Sequence, residues 1–261
     1  MTAGEYGTRE RWISSRDRVQ GATLRLFCLP HAGAGASAYQ TWKREMPPSV
    51  ELCPVRLPGR EMRLRESPYS NSRLLVQEMS EMLLADCDIP YAIFGHSMGA
   101  VLAYELAQAL RERGAPEPVG LFLSGRVAPH LELSAKPLHG LAHDRFLAAL
   151  EARYGGLPRE VLEDQEMLDF YLPILRADLR LIETYRYDSK PALNCPVLVT
   201  AGTEDTSVWM DGLEAWKEHT SGPFELKTYP GGHFYLSGEA RKPLLSMLHD
   251  RLTTLDRMTH M

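Results

Sequence analysis

The chain has 261 residues, 44% hydrophobic and 24% charged, with a formal net charge of −5. That length suits one large α/β domain or two small ones, and the composition is that of an ordinary globular protein. The mild acidity and scattered arginines argue against nucleic acid as a partner, and no apolar run is long enough to cross a membrane.

Residues 1–20 are polar, with no secretory apolar core, and are expected to form a mobile leader. The first strand-length apolar run is Leu24-Arg25-Leu26-Phe27-Cys28-Leu29, and the second is Val50-Glu51-Leu52-Cys53-Pro54-Val55. Leu74, Leu75, Met79, Met82 and Leu83 then recur at helical spacing. A short apolar run, Tyr91-Ala92-Ile93-Phe94, precedes a helix-like stretch over 100–107 that stops near Gly114. Another strand signal is Val119-Gly120-Leu121-Phe122-Leu123. This alternation predicts an α/β fold with a mostly parallel central sheet flanked by helices.

From 127 to 190 the strand signals vanish. Phe146, Leu147, Leu150 and Tyr154 form one amphipathic set; Leu168, Tyr171, Leu172, Leu175, Leu179 and Ile182 form another. A single crossover needs far fewer residues, so 127–190 is expected to be a helical lid inserted into a core of 21–126 and 191–255. Strand signals return over 197–201 and 224–229, a helix is expected over 239–252, and 256–261 should be a frayed tail. Four cysteines, Cys28, Cys53, Cys87 and Cys195, have no paired spacing and read as buried hydrophobes rather than disulfide or metal ligands.

Gly95-His96-Ser97-Met98-Gly99 spells G-x-S-x-G between a predicted strand and a predicted helix. In that context the motif forms a nucleophile elbow, a tight turn whose serine hydroxyl stands above the sheet. The hydroxyl needs a base, and the base needs a carboxylate, in the chain order Ser, then Asp or Glu, then His. His233, in Pro230-Gly231-Gly232-His233-Phe234 after the last strand signal, satisfies that order best among nine histidines. Asp205 is the favoured acid, with its neighbour Glu204 the alternative and Asp211 weaker. Two backbone donors must meet the oxyanion. One is expected from Met98, and the other from Ala32 or Gly33 in the small-residue loop Leu29-Pro30-His31-Ala32-Gly33-Ala34-Gly35-Ala36. That loop could instead cradle a phosphate, although neither G-x-G-x-x-G nor a P-loop lysine is present.

Further segments sharpen this reading: Leu57-Pro58-Gly59-Arg60, Leu123-Ser124-Gly125-Arg126-Val127-Ala128-Pro129, and Leu172-Pro173-Ile174-Leu175-Arg176-Ala177-Asp178. With the elbow and the Asp205 and His233 loops, they resemble type II thioesterases. These are stand-alone α/β-hydrolases that accompany polyketide synthases and nonribosomal peptide synthetases; vertebrate medium-chain thioesterases are similar. The resemblance implies a serine thioesterase that clears aberrant or stalled acyl groups from the phosphopantetheine arm of acyl or peptidyl carrier domains. Release of a finished product and general carboxylesterase activity are the alternatives. The family's triad falls on Ser97, Asp205 and His233, and its oxyanion donors on Met98 and Ala32. Ala34 departs from the glycine that many relatives carry. The resemblance further implies no metal or other cofactor, and carrier domains rather than nucleic acid or membrane as partners. It implies a cytoplasmic monomer. Arg60 and Arg126 are expected to be structural or surface ion-pair residues, with a phosphate of the carrier arm as the alternative role.

Overall fold

The computed structural model describes residues 8–13, 19–132, 135–155, 157 and 159–260. Strands covered on both faces need apolar side chains at nearly every position. β1 (Leu24–Leu29), β2 (Val50–Pro54), β3 (Tyr91–His96), β4 (Gly120–Ser124) and β5 (Val197–Gly202) meet that condition; β6 (Phe224–Tyr229) lies at an edge and is half exposed. All six run parallel in the order β2-β1-β3-β4-β5-β6. The described α-helices are α1 (Thr8–Trp12), α2 (Ser72–Leu83), α3 (Met98–Glu112), α4 (His143–Tyr154), α5 (Arg159–Glu163), α6 (Gln165–Glu183), α7 (Met210–Glu214) and α8 (Arg241–Thr259).

Alternate strand residues feed opposite faces. Phe27, Leu29, Tyr91 and Ile93 join one apolar cluster with Leu75 and Met79 of α2 and Val101 and Leu102 of α3. Leu24, Leu26, Ala92 and Phe94 join the other, with Tyr39 and Trp42 of the 3-10 segment Ala36–Glu45 and Leu244 and Leu248 of α8. The strand order reverses between β1 and β3, where Leu29 pairs with Gly95. Loops leaving the carboxyl ends of those two strands diverge, which opens a crevice there.

The block between β4 and β5 holds α4, α5 and α6, and no strand among its described residues. It has a core of its own, with Phe146, Leu150, Leu168, Leu172, Leu175 and Leu179 packed together. Asp164 caps α6 by accepting from the Glu166 and Met167 N–H groups at 3.0 and 3.1 Å. Pro173 lies within α6. The four cysteines are buried, and none forms a disulfide among the described residues.

Two expectations need correction. Trp12 and Ile13 of the expected leader are packed against the domain; residues 1–7 and 14–18 lie outside the described residues. Trp12 is 1% exposed, with the Arg63 guanidinium carbon 4.1 Å from its ring centroid. The Trp12 carbonyl accepts the Arg56 N–H at 2.8 Å, and Ile13 bridges to Val55. Two apolar anchors are enough to dock a segment whose average composition is polar. The expected frayed tail is instead the end of α8, which runs on to Thr259. There Asp256 accepts the Ser49 hydroxyl at 2.8 Å, and Leu255 packs on the second cluster.

Trp12→Ala is therefore expected to cost about 3 kcal/mol, the usual loss for a large buried aromatic. Urea denaturation measures it, and no change in the midpoint would mean that the segment contributes nothing.

Candidate active site

β3 delivers Ser97 into a turn that few residues adopt. Its φ of 55° and ψ of −114° lie in a region that costs a non-glycine residue on the order of 1–3 kcal/mol. Backbone contacts hold it there: Ser97 N–H donates to the Ser124 carbonyl at 2.7 Å, and the Ser97 carbonyl accepts Ala100 N–H at 3.1 Å. The motif's glycines are demanded by packing. A Cβ on Gly95 would sit 2.0 Å from the Gly99 carbonyl oxygen, and one on Gly99 would sit 2.2 Å from that of Leu29.

His233 follows β6 and Asp205 follows β5. His233 Nε2 is 2.9 Å from Ser97 Oγ, and His233 Nδ1 is 2.8 Å from Asp205 Oδ2. An ionised carboxylate only accepts, so Nδ1–H donates to Asp205 and Nε2 is left to accept the serine proton. The other carboxylate oxygen, Oδ1, accepts from Ser207 N–H at 2.9 Å and Ser207 O–H at 2.6 Å. Burial pushes the Asp205 carboxyl up, but the His233 hydrogen bond and charge, with the two Ser207 donors, outweigh it and hold the group below its ordinary value. Glu204, the alternative acid, is exposed.

A second serine lies close by but serves another network. Ser124 is fully buried; its Oγ is 2.9 Å from His96 Nδ1 and 2.7 Å from the Tyr235 hydroxyl, which donates to Thr200 Oγ1 at 2.7 Å. His96, beside the motif serine, turns its ring inward to within 5.0 Å of the His233 ring. Burial, and then the neighbouring His233 and His31, push its pKa well below the ordinary histidine value. Burial likewise lowers His31 to about 4.

The loop after β1 is held from three directions. Gly33 N–H donates to Asp178 Oδ2 at 2.7 Å. Arg60 clamps the same carboxylate with two bonds of 2.6 and 2.7 Å and donates to the Ala34 carbonyl at 2.8 Å. Glu61 accepts Ala36 and Ser37 N–H groups at 3.1 and 2.8 Å. Of the two loop donors considered, Gly33 is thus engaged by α6. Ala32 lines the cavity beside Ser97 and Met98. Arg60 is a buried structural ion-pair residue.

Two cavities meet at Ser97 and His233. The larger, about 390 Å³, has apolar walls from Leu150, Leu157, Leu175, Leu179, Ile182 and Phe234. The smaller, about 210 Å³, is more polar and is lined by Arg153, Thr206, Ser207 and Trp209. Tyr154 lines both, its ring 4.9 Å from that of His233.

Residues 24–252 match the model of the thioesterase domain family. The chain belongs to that family. The thioesterase is 39% identical to gramicidin S biosynthesis protein GrsT of Aneurinibacillus migulanus, over 87% of this chain and 88% of that one. It superposes on RedJ, a thioesterase of the prodiginine pathway in Streptomyces coelicolor, with a TM-score of 0.82 and 40% identity, covering 88% of this chain and 85% of that one. It also superposes on BorB, a type II thioesterase from the borrelidin cluster, with a TM-score of 0.84 and 36% identity, covering 92% and 97%. These neighbours share the α/β-hydrolase fold. No helix among the described residues is long and apolar enough to span a membrane.

Three participants escape sequence reasoning. Ser207 could have been found, since a serine two positions after an aspartate commonly closes a local side-chain turn. Asp178 leaves a trace too, as the one acid on the apolar face of α6 between Leu175 and Leu179. Nothing local marks the contact of Ser124 with Tyr235, 111 residues later.

Asp178→Asn is expected to cost about 3 kcal/mol because it leaves Arg60 buried and unpaired. Replacing both partners with leucine should recover part of that loss in chemical denaturation, the Gly33 N–H being left without its acceptor. Acid should also destabilise the thioesterase. Unfolded histidines take up protons near pH 6.5, whereas native His31 does so only near 4. The unfolded state binds more protons in that window, so stability falls as pH drops through it. His31→Gln should flatten the slope of stability against pH by about one proton, read from melting curves.

Proposed function

We propose that this thioesterase removes aberrant or stalled acyl groups from the phosphopantetheine arm of acyl or peptidyl carrier domains, as an editing hydrolase of polyketide or nonribosomal peptide assembly. One observation carries the reading: a serine–imidazole–carboxylate relay at 2.9 and 2.8 Å opens onto an apolar chamber in a chain whose relatives serve such pathways. The thioesterase of human fatty-acid synthesis, 35% identical, is a relative acting on an acyl chain.

In this reading His233 Nε2 takes the Ser97 proton as Oγ attacks the thioester carbonyl. Asp205 keeps the imidazole in the right tautomer and stabilises the imidazolium without taking the proton. The N–H groups of Met98 and Ala32 receive the tetrahedral oxyanion. His233 then protonates the departing thiolate, water enters, and the same base activates it to release the acid. The helical block 127–190 acts as a lid, with α4 and α6 walling the acyl chamber. Their leucines supply burial to an acyl chain at about 0.8 kcal/mol per methylene.

Ser97→Ala should lower kcat on an acyl-carrier thioester at least about 10³-fold, and Asp205→Asn should lower it by a similar order through loss of the tautomer. Glu204→Gln should leave the rate unchanged. Single-turnover assays on acyl-carrier proteins, run beside p-nitrophenyl esters, test the reading. Fast turnover of oxygen esters with no hydrolysis of acyl-carrier substrates would overturn it, as would full activity in Ser97→Ala.

A further inference from the structure

Arg126 has no part in that scheme, yet it is held firmly beside the reacting groups. It leaves β4 two residues after Ser124, and its carbonyl accepts the Trp216 Nε1–H at 2.8 Å. The backbone on either side is tied as well, with Gly125 N–H donating to Thr200 O at 2.8 Å and Ala128 N–H to Gly212 O at 2.9 Å. Its side chain borders both cavities, a position shared only with Ser97, Tyr154 and His233 among the described lining residues.

The expected ion pair is missing. Among the described residues, no carboxylate or other acceptor pairs with the Arg126 guanidinium. Glu183 lies near enough to favour its charge, but that carboxylate is filled by Leu138 N–H at 2.7 Å, His139 N–H at 3.0 Å and the His139 ring at 2.6 Å. Arg60 offers the contrast, since it is buried and doubly bonded to Asp178, whereas Arg126 stands half-buried on the cavity wall. Burial lowers the pKa of Arg126, yet a guanidinium stays protonated at any working pH. A half-buried cation without a counter-ion is incompletely solvated, and an incoming anion at the cavity relieves that cost.

The arm's phosphate is too remote to be that anion. Thirteen bonds separate it from the thioester sulfur, about 15 Å at roughly 3.5 Å per three bonds of extended chain. A side chain on the wall at Ser97 meets atoms only a few bonds from the reacting carbon. On the arm's side those atoms are the sulfur, two methylenes and an uncharged amide, so a charged group that near must belong to the acyl group.

We propose that Arg126 is a charge filter for the acyl group: it binds a carboxylate carried close to the thioester carbon and opposes an ammonium at the same place. The substrates favoured are monothioesters of short dicarboxylic acids, and those disfavoured are aminoacyl thioesters. The proposal rests on the thioesterase reading of Ser97.

Three acyl groups of similar size test it: malonyl, isovaleryl and β-alanyl, each on pantetheine and on phosphopantetheine. Arg126→Leu should lower the kcat/KM ratio of malonyl to isovaleryl at least about tenfold and raise that of β-alanyl to isovaleryl. Arg126→Lys should keep the wild-type order. Ratios are insensitive to a general loss of folded enzyme. Unchanged ratios in Arg126→Leu would overturn the filter and leave Arg126 a structural residue. A loss confined to the phosphorylated substrates, equal for all three acyl groups, would overturn it in favour of phosphate binding. Wild-type enzyme inert on all six would overturn the parent reading as well, and would register as absent turnover rather than an altered ratio.

Discussion

The geometry of the site hangs on one backbone conformation. Ser97 occupies a turn that a non-glycine residue adopts only under constraint, and the constraint is close approach. With Gly95 and Gly99 reduced to backbone, β1, β3 and α3 approach closely, and the Ser97 N–H bonds across to Ser124 of β4. The hydroxyl is then aimed at His233, and the N-terminus of α3 lies under it. Relaxing the turn would move nucleophile and helix terminus together. The strain is borne by the sheet core, which is apolar on both faces.

Electrostatics around the imidazole follow from burial. Two histidine rings crowd His233 or one another, at centroid distances of 5.0 Å for His96–His233 and 5.8 Å for His31–His96. Were the neighbours charged, they would oppose a positive charge on the His233 ring. Burial keeps His31 and His96 neutral, so the one carboxylate in contact, Asp205, meets no competition for the positive charge. Ser207 supplies the outer donors that keep that carboxylate ionised and oriented.

Much of this was legible from residue order. The alternation of apolar runs indicated a parallel sheet with covering helices, because strands buried on both faces have few ways to be written. Ser97, His233 and Asp205 stood out because each sits in a loop just past a strand signal. The sequence could not separate Glu204 from Asp205, since adjacent acids differ only in which way the loop turns them. It also misjudged both chain ends, where Trp12 and α8 are held by partners distant in sequence, Arg63 and Ser49. Arg60 and Arg126 looked alike as loop arginines. What distinguishes them is an acid on α6 that reaches one and not the other.

β4 and β5 are neighbours in the sheet, so the chain between them is an excursion that departs and returns at almost the same place. Joining two adjacent parallel strands requires only about a dozen residues. Most of that segment is therefore free of architectural duty, and its length and sequence can vary without disturbing strand register or the loops that hold the reacting atoms. Chamber shape becomes a module that can be redrafted separately from the chemistry beneath it. The exceptions are the residues that stitch module to scaffold: Asp178 over Gly33, Leu181 and Ile182 in the sheet's own apolar cluster, and Tyr185 on Glu105 of α3.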